Sequence, residues 1–347
     1  MSIKSNALAF WKYFLKNQKE IETALESQDK DKIKLWNDKL GDECLKVAGC
    51  YLSIEREDDF NLLTFEPMRD KTSQIICVYL KKFAPKALVD SWIIFDCIPP
   101  LCDKINHYRF NIDEKDYTIN DIEIGFIETP KVKDSFSVSL VCEAFENMND
   151  NEKDIIGETY VQNVLGDLVL NSYVEKIECS PVKKDFVKYV PMAEGYDEII
   201  DFMELHNYKP YSDCTQIYTV YKLDEENTSD EILDDRILIS TIHPMNFIEV
   251  MNNERRSLNQ ITRLQGEVGF LVLSIDEFNE SVAEQKRVLE KELNDLLYEL
   301  GIARVTGSGI APKRVYFEMF IFDKEEFKKA VVKVVSKLNL PITYLAY

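Results

Sequence analysis

The chain has 347 residues, with 62 acidic and 42 basic side chains and a net charge of −20. Such a field repels nucleic acid and anionic membranes and favours cationic partners. A hydrophobic content of 45% with 17 Tyr and 19 Phe excludes global disorder, and no apolar run approaches the ~20 residues of a membrane span.

The length suits two domains. An N-terminal α+β domain over 1–185 and a C-terminal α+β domain over 186–347 are expected. The divide falls in the polar stretch 180–194, punctuated by Pro181 and Pro191 and followed by Gly195. The opening residues lead into a lysine-bearing helix without an apolar signal core, so a cytoplasmic protein is expected. Eight scattered cysteines, mostly in apolar surroundings, read as reduced and buried thiols.

Two leading helices are predicted over 6–27 and 30–47, the first with Phe10, Trp11 and Phe14 on one edge. A hairpin over 50–55 and 60–65 follows, turning at Glu57-Asp58-Asp59. A helix over 70–83 carries Ile75, Ile76, Tyr79, Leu80 and Phe83 inward, and a buried strand over 92–98 is ended by Pro99-Pro100. The same order of strand, strand, helix, strand recurs over 119–127, 136–142, 151–168 and 173–179. A third pair, 216–221 and 237–242, precedes a helical region over 245–263. The recurrence is one of pattern, and sequence identity between the units is slight.

The C-terminal segment 267–347 is the clearest. A strand over 267–275 leads to a helix started by the capping box Ser281-x-x-Glu284. Val282, Leu289, Leu293, Leu296, Leu297 and Leu300 share one face of it, and Gly301 stops it. Strands over 302–306 and 315–322 are expected to join at a turn around Gly307-Ser308-Gly309. Asp323 then caps a second helix, and a strand over 341–347 ends the unit. This is a ferredoxin-like split βαβ order. The fold class is α+β, with mixed or antiparallel sheets covered by helices.

The helix Phe10-Trp11-x-x-Phe14-x-x-Asn17, with Trp92-Ile93-Ile94-Phe95 and Pro99-Pro100, resembles an uncharacterised bacterial family. Thr306-Gly307-Ser308-Gly309 and its aromatic strand are similar to a widespread bacterial domain of unknown function. The first likeness covers roughly residues 1–100 and the second roughly 268–347. Neither resemblance implies catalytic residues. Some bacterial proteins of this make-up look like immunity or accessory proteins of toxin systems.

Several residues could carry chemistry. Gly307-Ser308-Gly309, with Lys313 and Arg314 nearby, could cradle an anion through backbone N–H groups. A hairpin turn accounts for the same residues. His243 ends a strand before Pro244, where Asp234, Asp235 and Glu249 could orient its ring for acid–base work. A histidine that caps the following helix would look identical. Cys97-x4-Cys102-x4-His107 is spaced too widely for a zinc knuckle, so no metal site and no cofactor is expected.

The charge is concentrated. Between residues 191 and 235 there are thirteen carboxylates and two lysines. Asp224, Glu225, Glu226, Asp230, Glu231, Asp234 and Asp235, with Tyr211, are the candidate partner-binding residues, although solvated loops look the same. The sequence thus leads to an expectation of a non-enzymatic protein-binding module. It would be of the kind a bacterial immunity or inhibitor protein uses against a basic toxin, contacting neither nucleic acid nor membrane. The alternatives are an enzyme using His243 and a nearby carboxylate, or a small-molecule-binding regulator.

Overall fold

The computed structural model describes residues 2–101, 109–112, 115–129, 135–223, 231–252, 254–338 and 341–346. Ser2 starts helix α1 (Ile3–Glu26): its hydroxyl accepts the Ser5 amide while Ser5 returns the contact, a reciprocal cap. Helix α2 (Lys30–Val47) is capped by Asp29. Strands β1 (Tyr51–Glu57) and β2 (Phe60–Glu66) form an antiparallel hairpin whose turn puts Asp58 at φ +50°. The Asp70 carboxylate caps α3 (Lys71–Lys82), and β3 (Trp92–Phe95) lies parallel to β2. The aromatic edge of α1 is core: Phe14 meets Trp92 and Phe10 meets Trp11, each edge to face at 5.0 Å.

The next elements are β4 (Arg109–Ile112) and β5 (Lys115–Thr118), a hairpin, then the antiparallel pair β6 (Glu123–Glu128) and β7 (Phe136–Val141). Helix α4 (Asp150–Tyr173) is broken at Gly166, whose φ of +74° suits glycine. A Cβ there would lie 2.7 Å from Pro100 Cδ: β3 stops at Phe95, short of the expected end at Pro99-Pro100, and Pro100 seats against this break instead. Strand β8 (Val174–Ser180) runs parallel to β7, and β9 (Tyr189–Pro191) pairs with β6. Helix α5 (Gly195–Leu205) follows.

The remainder comprises β10 (Thr219–Lys222), β11 (Leu238–Thr241), α6 (Pro244–Met251), α7 (Arg256–Arg263), β12 (Glu267–Ser274), α8 (Glu280–Leu293), β13 (Ala303–Ala311), β14 (Arg314–Ile321), α9 (Lys324–Leu338) and β15 (Ile342–Ala346). Six of these strands make one sheet in the order β10-β11-β13-β14-β12-β15, every pair antiparallel. From β12 onward the order and directions are those of a split βαβ unit, and the class is α+β. The recurring order is realised twice, as β1-β2-α3-β3 and β6-β7-α4-β8, each an antiparallel hairpin whose second strand takes a parallel third. The expected third instance departs from it, because β11 pairs with β13 and not with β12.

Two compact units result: Met1–Asp96 joined with Thr215–Tyr347, and Cys97–Cys214 between them in sequence. The divide expected at 185/186 lies inside the second unit. Residues 181–188 only link β8 and β9, which belong to one sheet. Each unit has its own core. One gathers Tyr117, Ile124, Phe136, Leu140, Val164 and Met192. Another joins Phe10, Trp11 and Trp92 to Ile242, Ile261 and Phe322. Among the described residues no helix is long and apolar enough to cross a membrane.

Two local expectations change. Asn279, not Ser281, caps α8, accepting the Val282 amide. A π-turn over Asn294–Tyr298 then widens the helical period, so Leu297 stays buried while Leu296 and Leu300 turn outward.

Candidate functional site

The Gly307-Ser308-Gly309 segment is not a turn. It lies inside β13, flanked by β11 and β14, next to a bulge between Val305 and Gly307. The hairpin turn falls at Pro312-Lys313. The glycines are needed for space on one sheet face. A Cβ on Gly307 would sit 2.8 Å from both Glu318 Oε2 and the Ser240 carbonyl, and one on Gly309 would sit 3.0 Å from Arg236 Cδ. These glycines make room for two buried charges. No anion-cradling loop exists there.

Glu318 on β14 stands between Gly307 on β13 and Phe270 on β12. Its carboxylate accepts hydrogen bonds from Asn246 Nδ2 at 2.5 Å and Thr241 Oγ1 at 3.1 Å. Burial pushes its pKa above the usual carboxylate range, opposed by those two hydrogen bonds and the Arg236 charge. Arg236 is itself buried, donating Nε to the Leu233 carbonyl with its guanidinium 5.6 Å from the Phe247 ring. Glu318, Arg236, Asn246 and Phe247, with Ile239 and Tyr316, border a cavity of about 10 Å³, the size that holds one water molecule. It does not accommodate a substrate.

His243 is the N-cap of α6 and is 3% exposed. Its Nδ1 accepts the Asn246 amide at 3.1 Å, which fixes the proton on Nε2, and Nε2 donates to Thr72 Oγ1 at 2.9 Å. Burial lowers its pKa to about 4. Both ring nitrogens are therefore committed to structure, and the capping account of His243 is the one the geometry gives.

The candidate acids separate. Asp224, Glu225, Glu226 and Asp230 lie outside the described residues. Glu231 and Asp234 are exposed. Asp235 is buried, accepting from Arg314 Nη1 at 2.7 Å and Tyr316 OH at 2.5 Å, so it ties residues 233–236 to β14 and is not offered to a partner. Tyr211 belongs to the other unit, where it ends a stacked series: 5.6 Å from Tyr173, itself 5.1 Å from Tyr208.

An acidic surface that the sequence reading did not resolve is the outward face of α5. Gly195 lets the helix start close against Ile124 and Val164, each within 2.9 Å of a Cβ placed there. Ile199 and Met203 are buried. Asp197, Asp201 and Glu204 are exposed at i, i+4 and i+7, next to exposed Ile200 and Leu205. Glu198 is paired with Lys188. Among the described residues none of Asp197, Asp201 and Glu204 has a cation at ion-pair distance. The apolar spacing Tyr196, Ile199, Met203 carried the helical signal.

Among the described residues no group of three or more His, Cys, Asp and Glu side chains is placed to hold a metal ion; Cys102 and His107 fall outside them. No protein-family model, curated protein or solved structure matches this chain.

Proposed function

We propose that the chain is a protein-binding module that uses an acidic surface to engage a basic protein, as a bacterial immunity or inhibitor protein engages a basic toxin. The observation that carries this reading is the α5 face, where three solvent-facing carboxylates stand beside two exposed apolar side chains. Charges of one sign around an apolar contact steer a partner of the opposite sign and add specificity. The enzyme alternative loses its candidate base, since both His243 nitrogens are engaged.

The test is capture of proteins from lysate of the source cells at rising salt, comparing the native chain with the variant D197N/D201N/E204Q. A stoichiometric basic protein that salt elutes, and that the variant fails to retain, supports the reading. Equal retention by both proteins at every salt concentration sinks it.

A further inference from the structure

Three cysteines from separate elements converge in the first unit. Cys44 is on the last turns of α2, Cys50 directly precedes β1, and Cys77 is in the middle of α3. Cys50 Sγ lies 3.4 Å from Cys77 Sγ and 3.8 Å from Cys44 Sγ. A disulfide bond is about 2.05 Å long, so small side-chain rotations close either gap. Cys50 is the shared neighbour and is 6% exposed, whereas Cys44 and Cys77 are fully buried. An oxidant entering from solvent meets Cys50 first. Gly49, at φ +72°, gives the backbone beside it a conformation outside helix and strand.

We propose that Cys50 is a hydroperoxide-modifiable thiol, resolved by Cys77 and able to exchange with Cys44. In the first step the Cys50 sulfur attacks a peroxide oxygen. The O–O bond breaks, an alcohol or water leaves with the thiol proton, and Cys50 becomes a sulfenic acid, oxidised by two electrons as the peroxide is reduced. In the second step the Cys77 sulfur attacks the Cys50 sulfur, forming the S–S bond and expelling hydroxide, which takes the Cys77 proton and leaves as water. The sum is two thiols and one hydroperoxide giving one disulfide, one alcohol and one water. Attack of Cys44 on Cys50 then transfers the bridge and returns Cys77 to a thiol, with no net redox change.

The local electrostatics agree with this order. Hydrogen bonds from Cys44 and Cys77 hold the Cys50 thiol down, to about 5. The bond to Cys50 and burial push Cys44 up. A thiolate attacks peroxide faster than a thiol, and these hydrogen bonds favour the thiolate at Cys50.

The test treats the full native chain with hydrogen peroxide, traps remaining thiols with iodoacetamide and maps peptides under non-reducing conditions. The expected product joins Cys50 to Cys77, and in Cys77→Ser the bridge moves to Cys44. In Cys50→Ser no bridge forms within the trio. Circular dichroism verifies that each variant is folded. For a variant that is not, the native chain titrated in glutathione redox buffers replaces it, with the Cys50 bridge expected as the buffer becomes oxidising. The proposal is overturned if Cys50 is recovered as an alkylated thiol while half-buried Cys97 and Cys179 are oxidised. It is equally overturned if the bridge appears only after the chain is unfolded.

Discussion

His243 couples the stability of its unit to pH. Its folded pKa is depressed to about 4 against ~6.5 for a histidine in an unfolded chain. The neutral ring's contribution is therefore complete above pH ~6.5 and is lost as pH falls toward ~4, to a total of about 3 kcal/mol. Urea unfolding of the native chain across that interval should show this slope. His243→Asn, which retains a capping acceptor but cannot titrate, should flatten it; an unchanged slope in the variant would refute the assignment. Space at the glycines gives a second residue-scale prediction. Gly307→Ala presses a methyl onto a backbone carbonyl and a buried carboxylate, whereas Gly309→Ala is tight only against the Arg236 side-chain stem and in ordinary contact with Tyr316. Overpacking of the first kind costs about 1–3 kcal/mol, so Gly307→Ala should lower the urea midpoint more than Gly309→Ala. A reversed order would show that Glu318 does not constrain the site.

At the scale of elements, α5 is where function and stability separate. Its buried side carries Ile199 and Met203, and its outer side carries Asp197, Asp201 and Glu204. Neutralising those three should weaken partner capture while leaving unfolding within about 0.5 kcal/mol of the native chain, as for exposed substitutions that break no buried contact. A large loss of stability would make the face structural. Elements with strong periodicity were legible in the sequence: the two leading helices, the hairpin at Asp58, and α9 with its Asp323 cap. Helix α5 was not, because its acids drew attention as charge and hid a short apolar stripe. Nor was the run of β13 through Gly307-Ser308-Gly309, since glycine reads locally as a turn. Only the neighbouring strands show why a side chain is excluded there. Asp235 looked like its exposed neighbour Asp234, and what distinguishes it is Arg314 and Tyr316, about eighty residues further along.

At the scale of the whole molecule, each unit closes its own core, and two cooperative transitions are the expected equilibrium behaviour. Phe136→Ala, in the core of Cys97–Cys214, should move one transition by about 3–5 kcal/mol and leave the other in place. Joint movement in a two-probe denaturation experiment would show the units to be one cooperative body. The sequence suggested two units, but not their limits, because Pro99-Pro100 beside 96/97 reads as the end of a strand and only Pro210 lies near 214/215.

The first unit is built from both ends of the chain, with Phe10 and Trp11 sharing a core with Ile261 and Phe322. A ribosome delivers these groups far apart in time. At about 5–20 residues per second, this core, begun by α1 with Phe65 and Trp92, waits many seconds for Ile261 and Phe322 to complete it. The contiguous segment Cys97–Cys214 has all its partners as soon as it emerges. The middle of this protein therefore matures before its beginning, and the incomplete core around α1 is the part of the nascent chain that a chaperone would have to shield.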